Sequence, residues 1–324
     1  MAAASSIAGF LLIALAAPQS DPQAAARELE RVCDRAVSDP RPQTSDALEE
    51  RLPSETGAAA SFLRGCQQLA RRDFGRAGAE FERAVKAEPS VAVYHFWFGR
   101  ASGEQAQRAN ILRQPGLARR TKGEFEKAVA LDPTYIPARE GLVRYYIAAP
   151  GAFGGSVDRA REQAVEISRL NAYRGGLAHA NVAIAARDTA ALVAAHDRLA
   201  AQFPDSAVPW LSLVNIHLAR RQWLSAWSAI DSVERRRPDL ATVPYAIGRA
   251  AAESGEQLDR GEAALHAYLR HTPAPNEPGH AATYWRLGGI ARQRGDTTAA
   301  RRAWETALTI DPTFQPVRDA LARR

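Results

Sequence analysis

One arrangement of small and large residues recurs along this chain at intervals near 34 residues, and it limits the fold more than composition does. Gly288, Ala300, Trp304, Ala307 and Pro312 stand at the same mutual spacings as Gly65, Ala77, Phe81, Ala84 and Pro89. Each copy reads as two amphipathic helices. Tyr284, Leu287, Gly288 and Ala291 share one face of the first, and Ala300, Trp304 and Ala307 share one face of the second. Gly295-Asp296 separates the pair, and Asp311-Pro312 closes it because proline cannot continue a helix. So short a pair cannot bury its apolar faces alone, so neighbouring copies must stack. The 324 residues therefore need not divide into ordinary globular domains.

The copies are placed by their closing prolines. Seven units are expected, at 58–91, 92–135, 136–172, 173–206, 207–240, 241–274 and 281–314, followed by a capping helix at 315–324 whose polar face is Arg318, Asp319 and Arg323. Two units carry insertions. Residues 107–116 lengthen the second, and 149–156 (APGAFGGS) lie between the helices of the third. The latter is a Gly-rich turn ending at Ser156, a potential N-cap, and such turns offer backbone N–H groups to anions. It lacks the Gly-Lys-Ser/Thr ending of a phosphate loop.

With Trp210, Leu213 and His217 at the W-x2-L-x3-Y spacing, the pattern over 58–324 resembles the tetratricopeptide repeat family. Its inserted Ala-Pro-Gly…Gly-Gly loop is similar to that of exported bacterial members. The resemblance implies an all-α, right-handed superhelical solenoid whose concave groove, lined by the first helix of each repeat, binds an extended peptide or a partner helix. It also implies a non-catalytic interaction scaffold without a cofactor. Carried along the register, groove positions fall at Arg100, Arg144, Asn181, Asn215 and Arg249, with Phe62, Phe96, Tyr245 and Trp285 one turn earlier. Amide side chains there would bond a peptide backbone, arginines would hold carboxylates, and aromatics would anchor apolar groups. Leu177 and Leu211 stand where the family's chaperone-tail clamp has lysine, so that ligand is not expected. The competing reading is a small-anion, glycan-binding or enzyme-associated module built from 107–116 and 149–156, which requires those insertions to close into a pocket.

Residues 1–20 carry no charge, and Ile7–Ala17 is an apolar run too short for the roughly 20 residues a membrane span needs. Ala14-Leu15-Ala16 offers a small-x-small cleavage site. The expectation is a signal peptide at 1–16, an N-terminal helix (Pro22–Ser38) with linker over 17–57, a periplasmic or secreted location, and no integral span after cleavage. In an exported chain Cys33 and Cys66, the only two cysteines, either pair or remain two buried thiols. Neither has a further ligand at metal spacing. The charge of +6 comes from arginine, with only Lys86, Lys122 and Lys127 beside it. Arginine favours an acidic protein or peptide partner. Its even spread without interleaved aromatics argues against nucleic acid. His179, His196 and His217 read as core residues, and His266, His271 and His280 as solvated. No nucleophile stands in a catalytic setting.

Overall fold

The computed structural model describes residues 21–38, 48, 50–52 and 56–322. The expected signal segment at 1–16 and most of the expected linker lie outside the described residues. Among the described residues there are helices and no strands, and they form two compact units, one through Gln163 and one from Ala164.

The first unit opens with α1 (Pro22–Ser38) and continues with α2 (Gly57–Ala70) packed on α3 (Phe74–Ala87), then α4 (Ala92–Arg108) packed on α5 (Gln114–Leu131), then α6 (Ile136–Ala148). The unit boundary falls within α7 (Val157–Leu170). In the second unit α8 (Ala172–Ala185) pairs with α9 (Thr189–Gln202), α10 (Ala207–Ala219) with α11 (Trp223–Arg236), α12 (Thr242–Ser254) with α13 (Leu258–Tyr268), and α14 (His280–Gln293) with α15 (Thr297–Ile310). Last comes α16 (Gln315–Ala322), which buries Val317 against α15.

Each pair closes for a local reason. A Cβ on Gly65 would lie 2.5 Å from the Phe81 ring, and one on Gly288 would lie 2.1 Å from the Trp304 indole. Real side chains do not approach so closely, so the missing Cβ in one helix is the seat of the large ring in the next. The turn between helices has its own signature. Arg72, Arg187, Arg221, Gly255 and Gly295 all take left-handed backbone, with φ of 62, 55, 56, 78 and 81°. Asp73, Asp188 and Asp296 follow directly and accept the N–H of Arg76, Ala191 and Ala299, capping the second helix. At three of these turns an arginine bears the steric cost that glycine avoids.

The insertions behave differently from one another. Residues 107–116 are absorbed largely as extra helix, because α4 and α5 run to 17 and 18 residues around a turn at Ala109–Arg113. Residues 149–156 fold back instead. The Tyr145 hydroxyl donates to the Phe153 carbonyl at 2.7 Å, the Ser156 N–H donates to the Tyr146 carbonyl at 2.9 Å, and Ser156 Oγ accepts the Arg159 N–H at 3.3 Å.

The spacer after α13 corrects one expectation. His271 and His280 are not solvated ornaments. His271 Nε2 meets the Glu277 carboxylate at 2.6 Å, His280 Nε2 meets the His271 carbonyl at 2.9 Å, and the Tyr268 hydroxyl donates to the Pro278 carbonyl at 2.7 Å. Burial, with Glu277 and Tyr245 nearby, pushes the Tyr268 hydroxyl up to about 12. The Ala274 N–H and His271 hold Glu277 below its ordinary range.

Candidate functional site

The expected site is a set of side chains on the first helix of each pair, and those faces have opposite fates in the two units. In the first unit α1 packs on both α2 and α4. Its apolar stripe of Ala26, Leu29, Cys33 and Ala36 is buried, and Cys33 is bonded to Cys66 of α2. Gln23 reaches the start of α4, accepting the Ala92 N–H at 3.1 Å and donating to the Ser90 carbonyl at 2.7 Å. Arg27 pairs with Asp132, and Asp34 meets Arg100 at 3.5 Å.

Glu30 sits at the centre of this contact. One of its carboxylate oxygens accepts Trp97 Nε1–H at 3.0 Å and the Tyr135 hydroxyl. Burial raises its pKa and Asp34 adds to the rise, against the hydrogen bonds and Arg27. Burial also drives the Tyr135 hydroxyl well above its ordinary value, with Glu30 adding to it. Two neutral donors on a buried carboxylate hold α1 in one register, since sliding the helix would orphan all three groups.

Phe62 and Phe96 are therefore not groove anchors. Phe62 is 0% exposed and Phe96 4%, because both belong to a ring cluster with Phe81, Tyr94, Trp97, Phe125 and Tyr135, with centroids 5.2 to 6.1 Å apart. Arg100 lies 4.5 Å over the Trp97 ring, and burial lowers its pKa. Of the four positions expected in this unit, Arg144 alone is exposed.

In the second unit the corresponding face carries no covering helix among the described residues. Asn181 and Asn215 are exposed, and Tyr245, Arg249 and Trp285 are half-buried. They are not equivalent rungs. Asn215 Oδ1 accepts Arg249 Nη1–H at 2.7 Å, Arg249 Nε reaches Glu253 at 2.9 Å, and Glu253 also holds Arg286 at 2.9 Å. The row thus links α10, α12 and α14 through one carboxylate. Tyr245 tilts on Tyr268 with centroids 5.4 Å apart, and Trp285 on Trp304 at 5.7 Å. Trp285 also lines a cavity of about 740 Å³ with Arg292, Arg301 and Arg302.

Residues 107–116 help to line a basic cavity of about 990 Å³ that includes nothing from 149–156. Among the described residues no three His, Cys, Asp or Glu side chains gather as a metal site. His196 is buried with Nδ1 unpartnered and its pKa lowered by burial, and His217 Nδ1 meets Gln222 at 2.9 Å. Sequence reasoning missed His95, whose nitrogens meet Glu124 at 2.6 Å and the Pro89 carbonyl at 2.9 Å, tying α4 to α5.

This succession of paired helices has counterparts among proteins of known structure. A tetratricopeptide repeat protein from Parabacteroides merdae matches 82% of this chain and 97% of its own at 12% identity, with a TM-score of 0.51. The fold is that of tetratricopeptide repeats. Yeast Tom70 is a second match, over 95% of this chain and 68% of its own at 10% identity and a TM-score of 0.53. No family model and no curated protein sequence matches the chain. At such identities the likeness concerns how the repeats pack, and the side chains on their first helices are this chain's own.

Proposed function

We propose that the chain is a non-catalytic interaction scaffold that holds an acidic, extended or helical segment of a protein partner along the first helices of its second unit. The observation that carries this reading is α1 itself. It is a segment of this chain docked on the first helices of two successive repeats through an apolar stripe, a central hydrogen-bonded carboxylate and flanking ion pairs. That intramolecular contact supports the reading, because it joins an apolar stripe, a carboxylate and ion pairs to a first-helix face. In the second unit Asn181, Asn215 and Arg249 offer amide and guanidinium groups of the kind that bind peptide backbone and carboxylates, with Tyr245 and Trp285 as apolar neighbours. Beside Trp285, Arg292, Arg301 and Arg302 outnumber Glu305 and Asp319, and Arg301 is already paired with Glu305, so the small positive excess favours an acidic partner.

The cell envelope is the compartment that best suits the chain, because the Cys33–Cys66 disulfide persists in oxidising surroundings. The apolar Ile7–Ala17 run supports the same reading. A photo-crosslinking residue at Asn181 or Tyr245 should trap one partner from an envelope extract, whereas the same residue at the exposed Ser228 of α11 should not. Equal trapping at all three positions would refute first-helix recognition.

A further inference from the structure

The first unit carries a second feature that scaffolding does not explain. Where the α2–α3 turn meets the α4–α5 turn, a concavity of about 990 Å³ is walled by Arg71, Arg72, Arg108, Arg113, Arg119 and Arg120. The carboxylate in that wall, Asp73, is engaged by the Arg76 N–H at 3.0 Å and the Arg76 guanidinium at 3.5 Å. Arg108 pairs with Glu104 at 2.9 Å and lies 4.2 Å over the Phe74 ring. Arg120 lies 5.4 Å over Phe98. Arg72, Arg113 and Arg119 enter no ion pair among the described residues. Through these three side chains the cavity presents positive charge that no ion pair among the described residues neutralises.

At its lip the α4–α5 turn projects two adjacent apolar side chains into water. Ile111 is 80% exposed and Leu112 87%, and the turn that carries them is held by the Arg113 N–H on the Asn110 carbonyl at 3.0 Å and on Asn110 Oδ1 at 3.2 Å. Single exposed apolar residues are ordinary, but a projecting pair rimmed by arginine is the arrangement of an interfacial anchor. A soluble acidic peptide could satisfy the arginines, yet it would leave a protruding pair still facing water. A lipid surface satisfies both, because the acyl boundary receives the apolar pair while headgroup phosphates meet guanidinium forks.

We propose that the α4–α5 turn docks on an anionic phospholipid surface, with Ile111 and Leu112 entering the acyl boundary and Arg72, Arg113 and Arg119 holding headgroup phosphates. This reading is independent of partner binding in the second unit. It is tested by floating the full chain with vesicles containing phosphatidylglycerol or with pure phosphatidylcholine vesicles, at low and high salt. Thermal melts of each variant serve as a control for folding. The chain should float only with the anionic vesicles and lose binding at high salt. Arg113→Ala with Arg119→Ala should weaken binding about 25-fold, at roughly fivefold for each arginine near such a surface. Ile111→Ser with Leu112→Ser should weaken it by about tenfold or more. The proposal is overturned if the chain does not float, if it floats equally on neutral vesicles, or if the serine pair binds like the parent. It is equally overturned if inorganic phosphate or a polyglutamate peptide displaces the vesicles more effectively than chloride of equal ionic strength, since a soluble anion would then own the cavity.

Discussion

The first helices of the two units occupy the same places in the repeat but carry opposite chemistry. In the first unit the face of α2 and α4 holds Phe62, Phe96 and Cys66, and α1 seals it, while Arg144 on α6 stays exposed. In the second unit the same register holds Leu177, Leu211, Tyr245 and Trp285, with Asn181, Asn215 and Arg249 beside them, half-buried or exposed. The repeat decides which residues share that face. Whether the face is core or binding surface depends on what lies against it, and in the first unit the chain supplies the occupant itself.

The largest expected effect separates the units by packing. Phe62→Ala should cost about 3–5 kcal/mol, the usual loss for a fully buried ring, whereas Tyr245→Ala should cost clearly less because its ring is half-buried. Chemical denaturation of both variants measures the gap, and equal losses would mean that both faces are core. Next in size is the disulfide. Replacing Cys33 and Cys66 together with alanine should cost about 3 kcal/mol. Hydrogen exchange should show the loss in α1, α2 and α4, with the amides of α10 and α12 unmoved. Protection lost evenly in both units would dissolve the comparison.

Titration of Glu30 gives a smaller effect with a definite sign. Its folded pKa lies above the ordinary 4.5, so the folded chain binds that proton more tightly than the unfolded chain. Stability should fall as pH rises from about 4.5 through the raised value, and Glu30→Gln should flatten that slope while keeping an acceptor for Trp97 and Tyr135. The opposite trend appears only at lower pH. Asp132 is desolvated, yet Thr134 and Arg27 together hold its pKa below 3.8, so its contribution disappears as pH drops through that lowered value. A Glu30→Gln variant with the parent's slope would remove the carboxylate from the seal. The smallest effect is expected at the open face. Asn181→Ala with Asn215→Ala should change stability by about 0.5 kcal/mol or less, as surface substitutions do, while reducing crosslinking to the partner. A loss of several kcal/mol would show that the Asn215–Arg249–Glu253 row is structural.

Much of the fold was legible because it is local. The glycine seat and the large residue 16 positions later, as at Gly65 and Phe81 or Gly288 and Trp304, lie within one repeat, so spacing alone reveals them, whereas the left-handed arginines at 72, 187 and 221 carry no residue type that announces them. The candidate site was legible only as a register. Ala26, Leu29, Cys33 and Ala36 spell out a stripe that must find a partner, but no short-range pattern names the surface it will choose. The bonds of Glu30 to Trp97 and Tyr135 span 67 and 105 residues, and His95 meets Glu124 across 29. The basic cavity was hidden for the same reason, since its arginines come from two turns that only stacking brings together.

What this sequence determined alone is the helical pairing and its period, through steric rules acting over a few residues. The tertiary structure decided which first helices are sealed, which stay open, and where positive charge collects. Those outcomes depend on one helix burying its stripe and its carboxylate against residues far along the chain, a contact whose free energy exists only once the repeats have stacked.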